Sequence, residues 1–389
     1  HNLNLQVVVF MIGHLNSTLY SAKKSAIREF SAMAAQISDC IRLTLGEPDF
    51  TTPAPICAAV TDAFDHKETH YIENVGASSL REAIASFESQ NNGLDYSRDE
   101  IIVTAGATEA LFVSLFGILE PGDEVIVPTP AFVLYEQIIN LCRGVFVPLD
   151  TSGTAFQIDP DELNKKITQK TKAIILNSPN NPTGCILDRR SLLGVYHAVR
   201  GRNIFVICDD VYRQLVYDAD YHSFAEFRDL RDRILVVQSF SKPYAMTGWR
   251  MGYLMGDRPI IEKLALVHQF DVVSSASPFQ RACIEALRFD NSEMISRYAA
   301  RRKYVLDRLK KMGLNVSDPE GAFYVFPSIR RFSMDSMEFC KKLLREAAVA
   351  VTPGSAFGAE GYIRISYCCS EDDLKTGLDR LEGFIRDLL

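Results

Sequence analysis

Cysteine never falls into a ligand pattern here, tryptophan occurs once, and no long basic run occurs in 389 residues. The nine cysteines contain no C-x-x-C pair and no regular spacing, which excludes a zinc ribbon, a paired redox motif and a disulfide scaffold. Cys208 in IFVICDD and Cys283 in RACIEAL sit inside apolar runs, as reduced, buried thiols of a cytoplasmic protein do. The histidines form no zinc-ligand set with the cysteines, and H-E-x-x-H is absent, so no metal is expected. No apolar stretch is long enough to span a bilayer, and no repeat or low-complexity tract occurs. A net charge of −7 and a pI near 5.6 argue against nucleic acid as the main partner.

What is present reads as a folded chain of about two domains, since 47% of residues are hydrophobic and 23% charged. The opening HNLNLQVVVF has a short apolar run with no basic flank and no small-residue cleavage site. His1–Phe10 is therefore expected to be an extension foreign to the native chain, which would start at Met11; a cryptic signal peptide is the alternative.

From Asp99 onward short apolar runs alternate with amphipathic stretches. Strands are predicted at EIIVTAG, DEVIVPTP, KAIILNSP, IFVICDD and RILVVQSFS, with helices in ATEALFVSLFGIL and AFVLYEQIINLC. Continuous rather than alternating apolar strands imply a parallel sheet covered on both faces. Ligands of such sheets gather outside the carboxyl ends of the strands. Thr104–Thr108, Asn177–Gly184, Asp209–Tyr212 and Ser239–Lys242 should therefore face one crevice. After about Asp290 the character changes: a long charged helix, SEMISRYAARRKYVLDRLKKMG, precedes strand signals at GAFYVFP and GYIRISY, which reads as a smaller α+β unit. The expected fold class is α/β, a large domain with a mostly parallel sheet between helices plus that smaller domain.

The polar groups in the crevice point to a cofactor. Lys242 stands behind Ser239 and Ser241 in SFSKPYAMTGWRMGY; as a surface lysine it would be inert, but partly desolvated it is a nucleophilic amine that forms Schiff bases. Asp209 ends a buried strand, where a carboxylate needs a cationic partner such as a protonated ring nitrogen; capping a following helix suits Asp210 better. Tyr212 lies three residues on, one helical turn away, and should point its hydroxyl into the same space. NSPNNPTG presents asparagines between prolines and would also serve as a turn. TAGATEAL puts small residues at a strand-to-helix turn, where backbone N–H groups and the helix dipole favour a phosphate. Ser239 and Arg250 add a hydroxyl and a guanidinium to that anion site. Phosphate, Schiff-base aldehyde and a ring nitrogen beside a carboxylate together describe pyridoxal phosphate.

On these residues the chain resembles the fold-type I pyridoxal-phosphate aminotransferases, the aspartate and aromatic aminotransferase superfamily. The resemblance runs from about Ser25 to the C-terminus, through LTLGEPDF, YIENVGASSLREAIA, TAGATEAL, PGDEVIVPTPAF, NSPNNPTG, CDDVY, SFSKPYAMTGWRMG, GAFYVFP, VTPGSAFG and YIRISY. It implies that Lys242 binds the cofactor aldehyde and moves the proton, that Asp209 keeps the pyridine nitrogen protonated, and that Tyr212 and Asn181 bond the ring's phenolic oxygen. Phe132 would stack on the ring, or pack ahead of the next helix. Ala107, Thr108, Ser239 and Arg250 match phosphate-binding positions. Tyr71 matches the tyrosine that reaches the phosphate of a neighbouring subunit, which implies a homodimer with shared sites. Arg364 in YIRISY matches the arginine that grips the substrate α-carboxylate, and Gly46 lets the backbone approach it. The resemblance also implies an arm and part of the small domain over 11–46, a large cofactor-binding domain over 47–288 and a small domain over 289–389.

The implied reaction passes an amino group from an amino acid to a 2-oxo acid. Aspartate-type relatives often carry lysine where this chain has Thr108, and Ile27 stands where a hydroxyl is frequent; both favour an apolar or aromatic substrate. SAIREFSAMA (Ser25–Ala34) resembles a segment of prokaryotic aromatic and N-acetyl-diaminopimelate aminotransferases. Arg28 would read a distal carboxylate or lie on a helix surface. The expected activity is an aromatic amino acid:2-oxoglutarate aminotransferase; aspartate or N-acetyl-diaminopimelate transamination and a carbon–sulfur β-lyase are the alternatives. A transcription regulator on the same fold would need a helix-turn-helix domain ahead of LGEPDF.

Overall fold

The computed structural model describes residues 16–21 and 26–388. His1–Phe10, Met11 and the side chains of Ile27 and Arg28 lie outside the described residues. After the two-residue strand β1 (Ile41–Arg42) come β2 (Ile101–Thr104), β3 (Glu124–Thr129), β4 (Val145–Asp150), β5 (Thr171–Asn177), β6 (Phe205–Asp209), β7 (Ile234–Ser239) and β8 (Gly252–Gly256). β9 (Tyr324–Val325), β10 (Val349–Ala350), β11 (Thr352–Pro353) and β12 (Ile363–Ser366) follow.

β2 to β8 form one sheet in the order β2-β8-β7-β6-β5-β3-β4. The run from β7 to β4 is parallel, and β8 is antiparallel to both its neighbours. Side-chain alternation divides the strands between two cores: Val125, Ile175, Ile207, Leu235 and Leu254 face one layer of helices. Ile126, Ile174, Val206, Val236 and Met255 face the other. Burial on both faces is why these strands read as unbroken apolar runs.

Two strands of this sheet escaped the sequence reading, each for a local reason. β4 is an edge strand with an exposed rim and a proline at 148, so its pattern is diluted. β8 is five residues between glycines, without a β-branched residue. Its reversed direction matters, because the residues before it, Arg250 among them, are delivered to the carboxyl edge of the parallel strands. The expected helical turn after Asp209 is not helical: Val211–Gln214 is a hydrogen-bonded turn, with Arg213 N donating to Asp210 O at 2.9 Å.

A third core gathers segments from the two ends of the chain. β1 pairs with β10 in parallel, and β11-β12-β9 form an antiparallel sheet. Phe30, Leu43, Val305, Phe339, Ile363 and Leu378 are buried together there. The long helix Ser292–Lys311 is present as expected. All nine cysteines are free, and six of them are buried.

Beneath the Asp209 turn lies a buried ionic cluster. Arg213 Nη2 donates to Glu88 Oε1 and Oε2 at 2.6 and 2.7 Å, and Tyr253 Oη donates to Glu88 Oε1 at 2.5 Å. Removing one member of a buried pair strands the other charge. Glu88→Ala is expected to cost about 3 kcal/mol in urea unfolding, and Glu88→Leu combined with Arg213→Met to recover part of it, since Asp210, 3.7 Å from Arg213 Nη1, loses its cation in the double variant. Equal losses in the single and double variants would show that the pair itself is stabilising.

Candidate active site

The carboxyl edge of the large sheet opens into a cavity of about 260 Å³, closed from the other side by the strap after β1 and by β9 and β12. Of the cofactor- and substrate-binding residues expected from the sequence, all but Tyr71 line it, and Gly46, Phe132 and Val211 bound its less polar part; Ile27 and Arg28 have side chains outside the described residues. Tyr71 is 87% exposed and lies on a separate groove with His70 and Arg281.

Asp209 reaches the cavity because it is the last residue of β6. Its Oδ2 accepts from Tyr135 Oη at 2.5 Å, while Oδ1 is buried without a partner among the described residues. Desolvation raises this carboxyl to about 6, against the lowering hydrogen bond from Tyr135. Asn177, at the end of β5, donates to the Asp209 carbonyl at 2.9 Å and accepts from Asn181 N at 2.8 Å. One amide thus ties the NSPNNPTG loop to the end of the neighbouring strand. Asp210 turns the other way, is buried, and accepts from Ser223 Oγ at 2.7 Å.

Lys242 follows β7. Its half-buried Nζ donates to Gly46 O at 2.5 Å, and desolvation lowers the ammonium from 10.5 to about 8. Such an amine is substantially neutral near pH 8 and able to attack an aldehyde.

At the opposite end, Gly106 has φ +83 and precedes the helix Ala107–Ile118. A Cβ there would lie 2.7 Å from Arg250 Nη2, so the backbone calls for glycine at this position and its lack of a side chain leaves room for the guanidinium. Ala107, Thr108, Ser239 and Arg250 line this end. A helix N-terminus, a hydroxyl and a guanidinium facing one space form an anion site.

Arg364 leaves β12 and is 2% exposed. Nη1 donates to Asn181 Oδ1 at 2.8 Å and Nη2 to Thr44 O at 2.5 Å, and Nε has no partner among the described residues. Desolvation lowers its pKa below the usual arginine value. Tyr212 Oη sits 2.9 Å from Tyr324 Oη. The cavity thus offers an amine, an orphaned buried carboxylate oxygen, an anion site and a carboxylate-seeking guanidinium. Among the described residues no cluster could hold a metal ion, and no helix is long and apolar enough to cross a membrane.

Sequence reasoning missed Tyr135, Tyr324 and Thr44. Tyr135 and Tyr324 occur in AFVLY and GAFYVF, where aromatic neighbours suggest packing alone. Thr44 contributes through its carbonyl, which leaves no side-chain signal.

Residues 38–381 match the family described as aminotransferase class I and II. The chain is 41% identical over 377 residues to a probable N-acetyl-LL-diaminopimelate aminotransferase of Bacillus subtilis, covering 95% of each. It is also 41% identical to an aspartate aminotransferase of Pyrococcus abyssi, covering 93% of this chain and 96% of the relative. The crystal structure of an aromatic aminotransferase from Pyrococcus horikoshii OT3 superposes with a TM-score of 0.88 at 39% identity, covering 92% of this chain and 100% of that one. Relatives named for three different substrates stand at nearly equal identity, so overall similarity does not select among them.

The depressed amine has a direct readout. In cofactor-free protein, the rate at which Lys242 forms a borohydride-trappable adduct with a small aldehyde should climb with pH and level off above about 8. The neutral amine is the reactive form, so an ordinary lysine would keep climbing to about 10.4. Mass mapping of the trapped site distinguishes the two.

Proposed function

This chain belongs to the aminotransferase class I and II family and is an aminotransferase; we propose that it uses pyridoxal 5'-phosphate to move an amino group from an aromatic amino acid to 2-oxoglutarate. The unpartnered, buried Asp209 Oδ1 supports the fit of that cofactor, since it calls for a cationic group such as a protonated ring nitrogen. When bound, the cofactor supplies an aldehyde for the substrate nitrogen and a ring that accepts electrons released at the substrate Cα.

The chain's own residues divide the remaining work. Ala107 and Thr108 at the helix start, with Ser239 and Arg250, would hold the phosphate, and Phe132 would cover one ring face. Asn181 and Tyr212 would donate to the ring's phenolic oxygen. Arg364 would bind the α-carboxylate by two parallel N–H donors, beside the backbone of Gly46. Lys242, its amine brought to about 8, would take the proton from the substrate Cα and return it on the other side of the transfer. The exposed Tyr71 supports a homodimer in which this residue completes the neighbouring copy's phosphate site.

The aromatic preference rests on the cavity wall. Leu45, Leu111, Leu134 and Val211 are apolar, and Lys242, Arg250 and Arg364 are the only cations lining it among the described residues. With those three assigned, none among the described residues is left to hold a distal carboxylate on the donor; Arg28, whose side chain lies outside the described residues, would read that of 2-oxoglutarate. A dicarboxylate donor is the second reading, favoured by the aspartate relative of Pyrococcus abyssi.

With 2-oxoglutarate as acceptor, kcat/KM for phenylalanine should exceed that for aspartate by about tenfold or more. Thr108→Lys should narrow the gap by improving aspartate. Faster turnover of aspartate by the unaltered enzyme would reject the aromatic reading, and an active Lys242→Ala protein would reject the role given to the lysine.

A further inference from the structure

Tyr324 stands where three parts of the cavity meet, and it is 1% exposed. Its hydroxyl lies 2.9 Å from that of Tyr212, with the rings edge-on at 5.7 Å. Its ring lies 4.5 Å from the Arg364 guanidinium carbon. A Cβ on Gly46 would fall 1.9 Å from Tyr324 Oη, so the strap can close over the site only because position 46 carries no side chain. A strand of two residues, β9, registered so that Tyr324 pairs with Ser366 of β12, delivers all three contacts.

The two hydroxyls impose a constraint on protons. Each has one hydrogen to donate, and Tyr212 has the cavity on its other side. If Tyr212 directs its hydrogen into the cavity, the bond between the pair must be donated by Tyr324. A hydroxyl that accepts a hydrogen bond becomes a better donor itself.

We propose that Tyr324 is a positioning residue for transamination: its hydroxyl donates to Tyr212 Oη, which turns the Tyr212 hydrogen toward the cofactor's ring oxygen, and its ring seats Arg364. The proposal rests on the reading of Tyr212 as a donor to that oxygen. The charged and titratable groups facing the pair are Arg364 from β12, Cys368 just beyond it, and Asp209 at the end of β6, with Lys242 across the cavity. None of them bonds either hydroxyl, so the Tyr212–Tyr324 bond is the contact that orients them.

The test uses cofactor-loaded enzyme and the pH midpoint of its visible absorbance. A bond donated to the ring oxygen favours the deprotonated form, in which that oxygen holds more negative charge, so a weaker donor raises the midpoint. Tyr324→Phe, which keeps the ring beside Arg364, is expected to raise it by about half a unit. Tyr212→Phe should raise it further, and the double variant should match Tyr212→Phe alone, since Tyr324 acts through Tyr212. Site-specific 3-fluorotyrosine at 324, a stronger donor that retains the hydroxyl, should lower the midpoint, which keeps the idea testable if Tyr324→Phe does not fold. KM for the amino donor should stay within about twofold in Tyr324→Phe and rise about tenfold in Tyr324→Leu, where Arg364 loses its aromatic seat. A midpoint unmoved in Tyr324→Phe but raised in Tyr212→Phe overturns the proposal and leaves the site reading standing. A midpoint unmoved in both overturns the proposal together with the reading of Tyr212. Additive shifts in the double variant also overturn it, because Tyr324 would then act without Tyr212.

Discussion

Arg364 carries a full charge out of water with no carboxylate beside it among the described residues. An uncompensated ion in the interior is costly, and neutral groups offset that cost here. They are the amide oxygen of Asn181, the carbonyl of Thr44 and the faces of Tyr324 and Phe357. These groups come from the asparagine loop after β5, the strap after β1, and the segments at β9 and Gly354–Phe357. Solvating one guanidinium therefore registers the small sheet and the strap against the end of the large sheet. The arrangement remains electropositive, and a substrate carboxylate is what completes it.

Burial acts on the other two ionisable groups in opposite directions. Asp209 is raised to about 6 and Lys242 lowered to about 8, each chiefly by desolvation. Both are thus pushed toward neutrality, a state a cofactor with a cationic nitrogen and an aldehyde would relieve at each point. The anion site at Gly106 stands at the start of a helix whose dipole suits a phosphate, and its Arg250 is one of the charges that lower Lys242. β8 completes that site: running against its neighbours, it begins where they end and brings Arg250 to the same edge as Ser239, which pairs with Gly252.

Much of this was readable from local chemistry. Runs such as IFVICDD, apolar on both faces and ending in acid, mark a buried parallel strand whose last residue meets the ligand crevice, and Asp209 lies there. Lys242 was readable as a lone amine among hydroxyls at the end of a buried strand, whereas Asn181 and Arg364 were singled out through the family resemblance, because an asparagine in a proline-rich turn or an arginine in a strand carries no such signal by itself. Tyr135 and Tyr324 were not, because a tyrosine among aromatics looks the same whether its hydroxyl is idle or bonded to a group 74 or 112 residues away. The turn at Val211–Gln214 was misjudged as helix for a related reason: the Arg213–Glu88 pair holds it, and no local pattern reports a contact 125 residues distant.

Residue order alone marks the buried parallel strands, the carboxyl edge they share and the reactive groups at their ends, because those follow from apolar periodicity and from the two or three residues that end each such strand. Folding in three dimensions sets the rest: the reversed β8 that supplies Arg250, the strap that gives its carbonyls to Lys242 and Arg364, and the tyrosine pair at the cavity floor. Each of these joins segments far apart in the chain, and their energies come from desolvation and hydrogen bonding, which exist only once the segments meet.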